Sequence, residues 1–175
     1  MELINKVAQS GIVSFDLETF FPEADKIVAF DLKVYLFKGL ILKEKDFREA
    51  LALIDWSQYS EKYLAVFCSA DAIIPNWAYM LVSANAQPFA TSVIMGNTEE
   101  AIKRIYSDAL SKLDLTQFID QRVVIKGCSD KPVPPAAYLE LTKLLRPYAQ
   151  SIMFGEPCST VPIFKRPRAV SQGAE

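Results

Sequence analysis

Histidine is missing from all 175 residues of this chain. Its absence removes the Ser-His-Asp and Cys-His nucleophile systems, and imidazole-ligated zinc, in one stroke. Any metal must be held by sulfur and oxygen, and any general base must be a carboxylate, Lys, Tyr or thiolate. No apolar run approaches the roughly 18 residues of a membrane span. "MELINKVAQSG" has neither the cationic start nor the apolar middle of a signal peptide. Long basic stretches are also lacking, since "FKRPR" is short and broken by proline. With a net charge of -2, nucleic acid is not an expected partner. Cysteine is rare, and its three copies are an odd number, which argues against a disulfide framework. The expected setting is the reducing cytoplasm, with thiols that are free or bound to metal.

What is present suits a packed core: 51% of the residues are hydrophobic and 11% aromatic. No linker divides the chain. The expectation is a single α/β domain over residues 1–164 and a polar, basic tail over 165–175. Leu3, Ile4 and Val7 stand at helical spacing before Gly11, which predicts an N-terminal helix. "IVSFD" and "KIVAFD" read as strands, taken as antiparallel additions to the sheet. Asp31 is placed to cap a short helix in "DLKVYLFKGL". In "EKDFREALALID", Phe47, Ala50, Leu51 and Ile54 form one apolar stripe, a covering helix.

From residue 61 the pattern becomes a regular alternation. "KYLAVF", "FATSVIM", "RVVIK" and "SIMF" read as buried strands, and helices of 12–15 residues separate the first three from their successors. One helix starts at Pro75; a second is capped by Asn97, with Glu100 at the capping-box position; a third starts at Pro134. Such spacing predicts right-handed βαβ crossovers and a mainly parallel sheet over residues 61–155.

Each of the three cysteines is followed by serine, and two of them open similar segments, "CSADAIIPNWAY" and "CSDKPVPPAAY". Cys68 and Cys128 follow strands, and Cys158 lies just beyond the last one, in "EPCSTVP". All three are therefore expected at the carboxyl edge of the sheet, where ligand crevices form in open parallel sheets. If the four strands lie in the order 2-1-3-4, the strands bearing Cys68 and Cys128 are neighbours, and that order is the expected one. In one reading Cys68, Cys128 and Cys158 bind zinc, iron or an iron–sulfur cluster, with Asp71, Asp130 or Glu156 completing the shell. Ser69, Ser129 and Ser159 would then support the loops. In a second reading one thiol is a nucleophile or sulfur carrier, activated by a helix N-terminus or by Lys131. In a third the cysteines are buried packing residues. A looser acidic group, Asp16, Glu18 and Glu23, is a weaker candidate for a cation. "MGNTEE" is a candidate anion site, although its one glycine falls short of a phosphate loop. Trp56, Tyr59, Tyr63, Trp77 and Tyr79 are candidates for a pocket or a homodimer interface, set against ordinary core packing.

"FDLKVYLFKGLILKEKDFREAL", "DWSQY", "CSADAIIPNWAYML", "VIKGCSDKPVPPAAYLEL" and "IMFGEPCSTVP" resemble the domain of unknown function 2480 family, uncharacterised bacterial proteins of about this length. The resemblance covers nearly the whole chain, includes all three cysteines and brings no established activity. It implies a cytoplasmic accessory role, with iron–sulfur assembly or sulfur-mobilising proteins as partners.

Overall fold

A computed structural model describes residues 4–7, 11–127, 130–156 and 158–167. In chain order the strands are β1 (Ile4–Val7), β2 (Ile12–Asp16), β3 (Ile27–Asp31), β4 (Tyr63–Phe67), β5 (Ser92–Met95), β6 (Arg122–Lys126), β7 (Ser151–Glu156) and β8 (Ser159–Lys165). The helices are α1 (Glu44–Ala52), α2 (Asn76–Ala86), α3 (Thr98–Leu110) and α4 (Pro135–Leu145). The α/β class holds, but the strands lie in two mainly parallel sheets rather than one. Two compact units contain them: unit 1 is Met1–Phe21 with Tyr106–Glu175, and unit 2 is Pro22–Ile105.

Unit 2 holds the sheet β3-β4-β5, parallel throughout. Leu64 and Val66 of β4 join Phe47 and Leu51 of α1 and Ala78, Val82 and Ala86 of α2 in one core cluster. Ala65 and Ile94 pack with Ala101 and Ile105 of α3 in another. Alternate residues of β4 thus enter different cores, which is why this strand reads as a continuous apolar run. The N-terminus of α3 carries the expected capping box. Glu100 accepts from the Asn97 N–H at 2.8 Å and donates its own N–H to the Asn97 side chain at 3.0 Å. That exchange satisfies two of the donors that an anion at "MGNTEE" would use, and it places the Glu100 carboxylate there already.

Unit 1 holds the sheet β1-β2-β6-β7-β8, in which β2, β6 and β7 are parallel and the outer strands antiparallel. Three expectations are corrected here. Residues 4–7 form a strand rather than a helix, because pairing of Ile4–Val7 with Ile12–Phe15 overrides the helical apolar spacing. The strands β2 and β3, expected to be antiparallel, each run parallel to a neighbour, β6 and β4 respectively. The order 2-1-3-4 fails at its centre: β4 takes β3 as its second neighbour and β6 takes β2, so β4 and β6 lie in different sheets.

The two units share one plan, and the echo around the cysteines is only a fragment of it. "IVSFDLETF" and "IVAFDLKVY" each form a strand ending in Asp, whose side chain caps a one-turn 3-10 helix. Phe15 stacks on Phe20 at 5.7 Å, as Phe30 does on Tyr35 at 5.6 Å. Asp55 and Asp114 cap further 3-10 turns, "WSQY" and "LTQF", through matching bonds to Ser57 and Thr116. The registers also correspond: Tyr63 faces Ile27 and Ser92 in unit 2, and Arg122 faces Ile12 and Ser151 in unit 1. Two elements break the parallel, and the first is β1, which covers the outer edge of β2 whereas β3 is an edge strand. The strand β8 covers the outer edge of β7, whereas β5 is an edge strand.

Among the described residues, no helix is long and apolar enough to cross a membrane.

Candidate functional site

Each unit carries a strand-to-helix loop at the carboxyl end of its central strand. In unit 2 Cys68 follows the last residue of β4, half-buried against the core cluster of Leu64, Val66 and Ala78. Its thiol lies 3.7 Å from the Ala70 carbonyl, a weak contact within the loop. Burial pushes the phenol of Tyr79 up, and the neighbouring Cys68 adds to this. Ser69 is tied to the next strand, since its N–H and hydroxyl both donate to the Asp31 carboxylate, at 3.0 and 2.5 Å. Asp31 also caps its 3-10 turn by accepting from the Lys33 N–H at 2.9 Å. Burial opposes ionisation of this carboxyl, but the Ser69 hydroxyl, two backbone N–H groups and the charge of Lys33 together hold it below its usual value. Asp71 is exposed.

The lock on Ser69 has a measurable consequence. Asp31→Ala removes a cap and two bonds to the loop, so a loss of about 1–2 kcal/mol is expected near neutral pH. A carboxyl with a lowered folded pKa contributes stability above its unfolded value, about 3.9, and loses it as pH falls through the folded value. The gap between wild type and variant in urea unfolding should therefore be full at pH 7 and close below about pH 4. A gap that stays constant down to pH 3 would show that the carboxylate charge plays no part.

In unit 1 the edge is charged instead. Lys126, the last residue of β6, reaches Asp16 at 3.6 Å and Glu156 at 4.0 Å, at the carboxyl ends of the two flanking strands. Glu18 accepts from the Asp130 N–H at 3.2 Å, and Lys131 donates to the Glu18 carbonyl at 3.5 Å. These bonds account for two members of the loose acidic group, Asp16 and Glu18, while Glu23 belongs to unit 2. Gly127 follows Lys126, and its carbonyl accepts from the Tyr138 hydroxyl at 2.6 Å. Cys128 and Ser129 come next and lie outside the described residues. Cys158 is exposed at the turn between β7 and β8, where Glu156 faces Ser159.

The six proposed ligands are thereby divided. Cys68 and Asp71 belong to unit 2, and Cys128, Asp130, Glu156 and Cys158 to unit 1. Cys68 and Cys158 are both free thiols. Among the described residues, no three Cys, Asp or Glu side chains are grouped to hold a metal ion. The aromatic group has a plainer role: Trp56 and Tyr59 pack on Phe30, and Trp77 on Phe47, within the unit 2 core.

Over residues 1–166 the chain matches the family described as "Protein of unknown function (DUF2480)". It belongs to the DUF2480 family. No curated protein and no solved structure matches it. Within this DUF2480 chain the sequence marked the Cys-Ser echo, Asp31 as a cap and Asp16 with Glu18 as a loose acidic group, but not Lys126 or the bonds by which these residues hold the loops. Asp31, Asp16, Glu18 and Lys126 come from strand ends distant in sequence. The signal that pointed to them was the repeated "IV-x-FDL", in which the same aspartate closes both β2 and β3.

Proposed function

We propose that this protein is a cytoplasmic metal- or cluster-handling accessory protein that works through the thiols of unit 1, Cys128 and Cys158. The observation that carries the reading is the position of Lys126. Its ammonium is held between Asp16 and Glu156 where β6 and β7 lead into the cysteine-bearing segments. Lys126 thereby gathers two carboxylates at this edge, and carboxylates offer oxygen to a metal where thiolates are too few. Zinc, iron and iron–sulfur clusters are the groups that suit such donors. The partners that fit are iron–sulfur assembly or sulfur-mobilising proteins. Cys68 has a different reading, as a packing residue, because it is half-buried against the unit 2 core.

Metal analysis and absorption spectra of protein purified without oxygen test this assignment. Cys128→Ala and Cys158→Ala are expected to lose metal or cluster by tenfold or more, while Cys68→Ala keeps it and loses stability. Absence of metal and cluster from the wild type, or equal retention in all three variants, would overturn the proposal. A persulfide on Cys128 or Cys158 in metal-free protein would replace it by sulfur transfer.

A further inference from the structure

Beside this edge lies a cavity of about 360 Å³ in unit 1, between α4 and the strands β6, β7 and β8. Ile125 lines its inner wall, Met153 and Phe154 come from β7, and Ile163 of β8 completes the outer side. The rings of Tyr138 and Phe154 meet edge to face at 5.7 Å, and both line the cavity. Only two hydroxyls belong to lining residues, and each is already donated internally. Tyr138 donates to the Gly127 carbonyl at 2.6 Å, and Thr142 to the Tyr138 carbonyl at 2.7 Å. Among the described residues, none that lines the space is charged.

We infer that this cavity is a binding site for a small, uncharged, apolar molecule. Its volume falls at the lower end of the usual range for ligand pockets, about 300–1,000 Å³. A carboxylate or phosphate pressed against this lining would lose hydration with no lining cation to replace it, which favours an uncharged ligand. An apolar body meets aliphatic walls and an aromatic corner. Comparison of the two units shows that the cavity is built rather than left over. Phe154 is half-buried, whereas Met95 at the matching position in unit 2 is 73% exposed, and that sheet has no strand in the place of β8. The added strand supplies Ile163, and with it the missing wall. The site is independent of metal or sulfur chemistry at the thiols, although Tyr138 ties it to the residue before Cys128.

The test is fluorescence titration of the full chain with N-phenyl-1-naphthylamine, an uncharged apolar probe, followed by displacement with 1-decanol and with decanoate. One saturable site is expected, displaced by decanol at least ten times more effectively than by decanoate. Thr142→Trp, which fills the cavity, and Leu139→Lys, which puts a charge on a lining residue that is 72% exposed, should each weaken binding tenfold or more. Leu139→Lys leaves the buried packing intact, so the test survives if Thr142→Trp fails to fold. Met80→Lys, the matching change in unit 2, should leave binding unchanged. Unsaturable binding, binding unaltered in Leu139→Lys, equal loss in Met80→Lys, or decanoate displacing as well as decanol would overturn the assignment.

Discussion

Replacing Phe118 by alanine is expected to lower stability by about 3–5 kcal/mol, the largest loss of any single change considered for this chain. The ring is fully buried and lies 5.9 Å from Phe15, which in turn stacks on Phe20. It therefore joins the 3-10 turn before β6 to the core beneath β2, two segments remote in sequence. Removing it opens a cavity among side chains that cannot collapse without moving the strands. In a chain of this size, each kcal/mol shifts the thermal midpoint by about 2–4 °C, so a fall of about 6–20 °C should accompany the change in urea. Tyr59, the counterpart in unit 2, is only half-buried and packs on Phe30 at 6.4 Å. Tyr59→Ala should cost less. A Phe118→Ala loss below about 1 kcal/mol would show that the ring is not part of the core.

Gly155→Ala is expected to cost about 2–4 kcal/mol, although it adds only one methyl group. Gly155 has φ of +116°, a conformation that L side chains rarely adopt. A Cβ there would lie 2.6 Å from the Ser159 carbonyl oxygen, a backbone atom that cannot move without spreading the β7–β8 hairpin. The matching glycine in unit 2, Gly96, has φ of +128°, and its Cβ would meet the Glu100 side chain at 2.7 Å. The nearest atom is the Glu100 Cβ, fixed to α3, and the Glu100 carboxylate is held by the Asn97 N–H, so Gly96→Ala should cost a comparable amount. A loss below about 1 kcal/mol from either change in urea unfolding would show that a side chain is tolerated at that backbone conformation.

Much of this architecture was legible in the sequence, and the errors have physical causes. The stripe of Phe47 and Leu51 marked α1, Asn97 with Glu100 marked the start of α3, and the apolar runs marked β4 to β7. These signals are local, because caps and periodicity arise within a few residues. Partner choice between strands is not local. Four βα strands look alike whether they share a sheet or divide between two, and only tertiary pairing put β2 beside β6 and β3 beside β4. The strand β8 was hidden by Pro162, which normally argues against a strand. As the outer strand next to a register shift at Ile152/Met153, β8 can accommodate the missing donor. For the site, the sequence located the cysteine loops at strand ends. It could not show that Lys126 and two distant carboxylates meet in unit 1 while Ser69 is anchored to Asp31 in unit 2.

The division of unit 1 across the chain bears on its synthesis. Residues 22–105, all of unit 2, leave the ribosome as one uninterrupted stretch. The strand β2 is made before them, yet its partner β6 begins only at Arg122. At translation rates of about 5–20 residues per second, β2 waits several seconds for that partner, with only the short β1 to pair with. A closing contact over so long a loop is slow to form. One half of the molecule can thus fold as it emerges, while the other is started first and finished last.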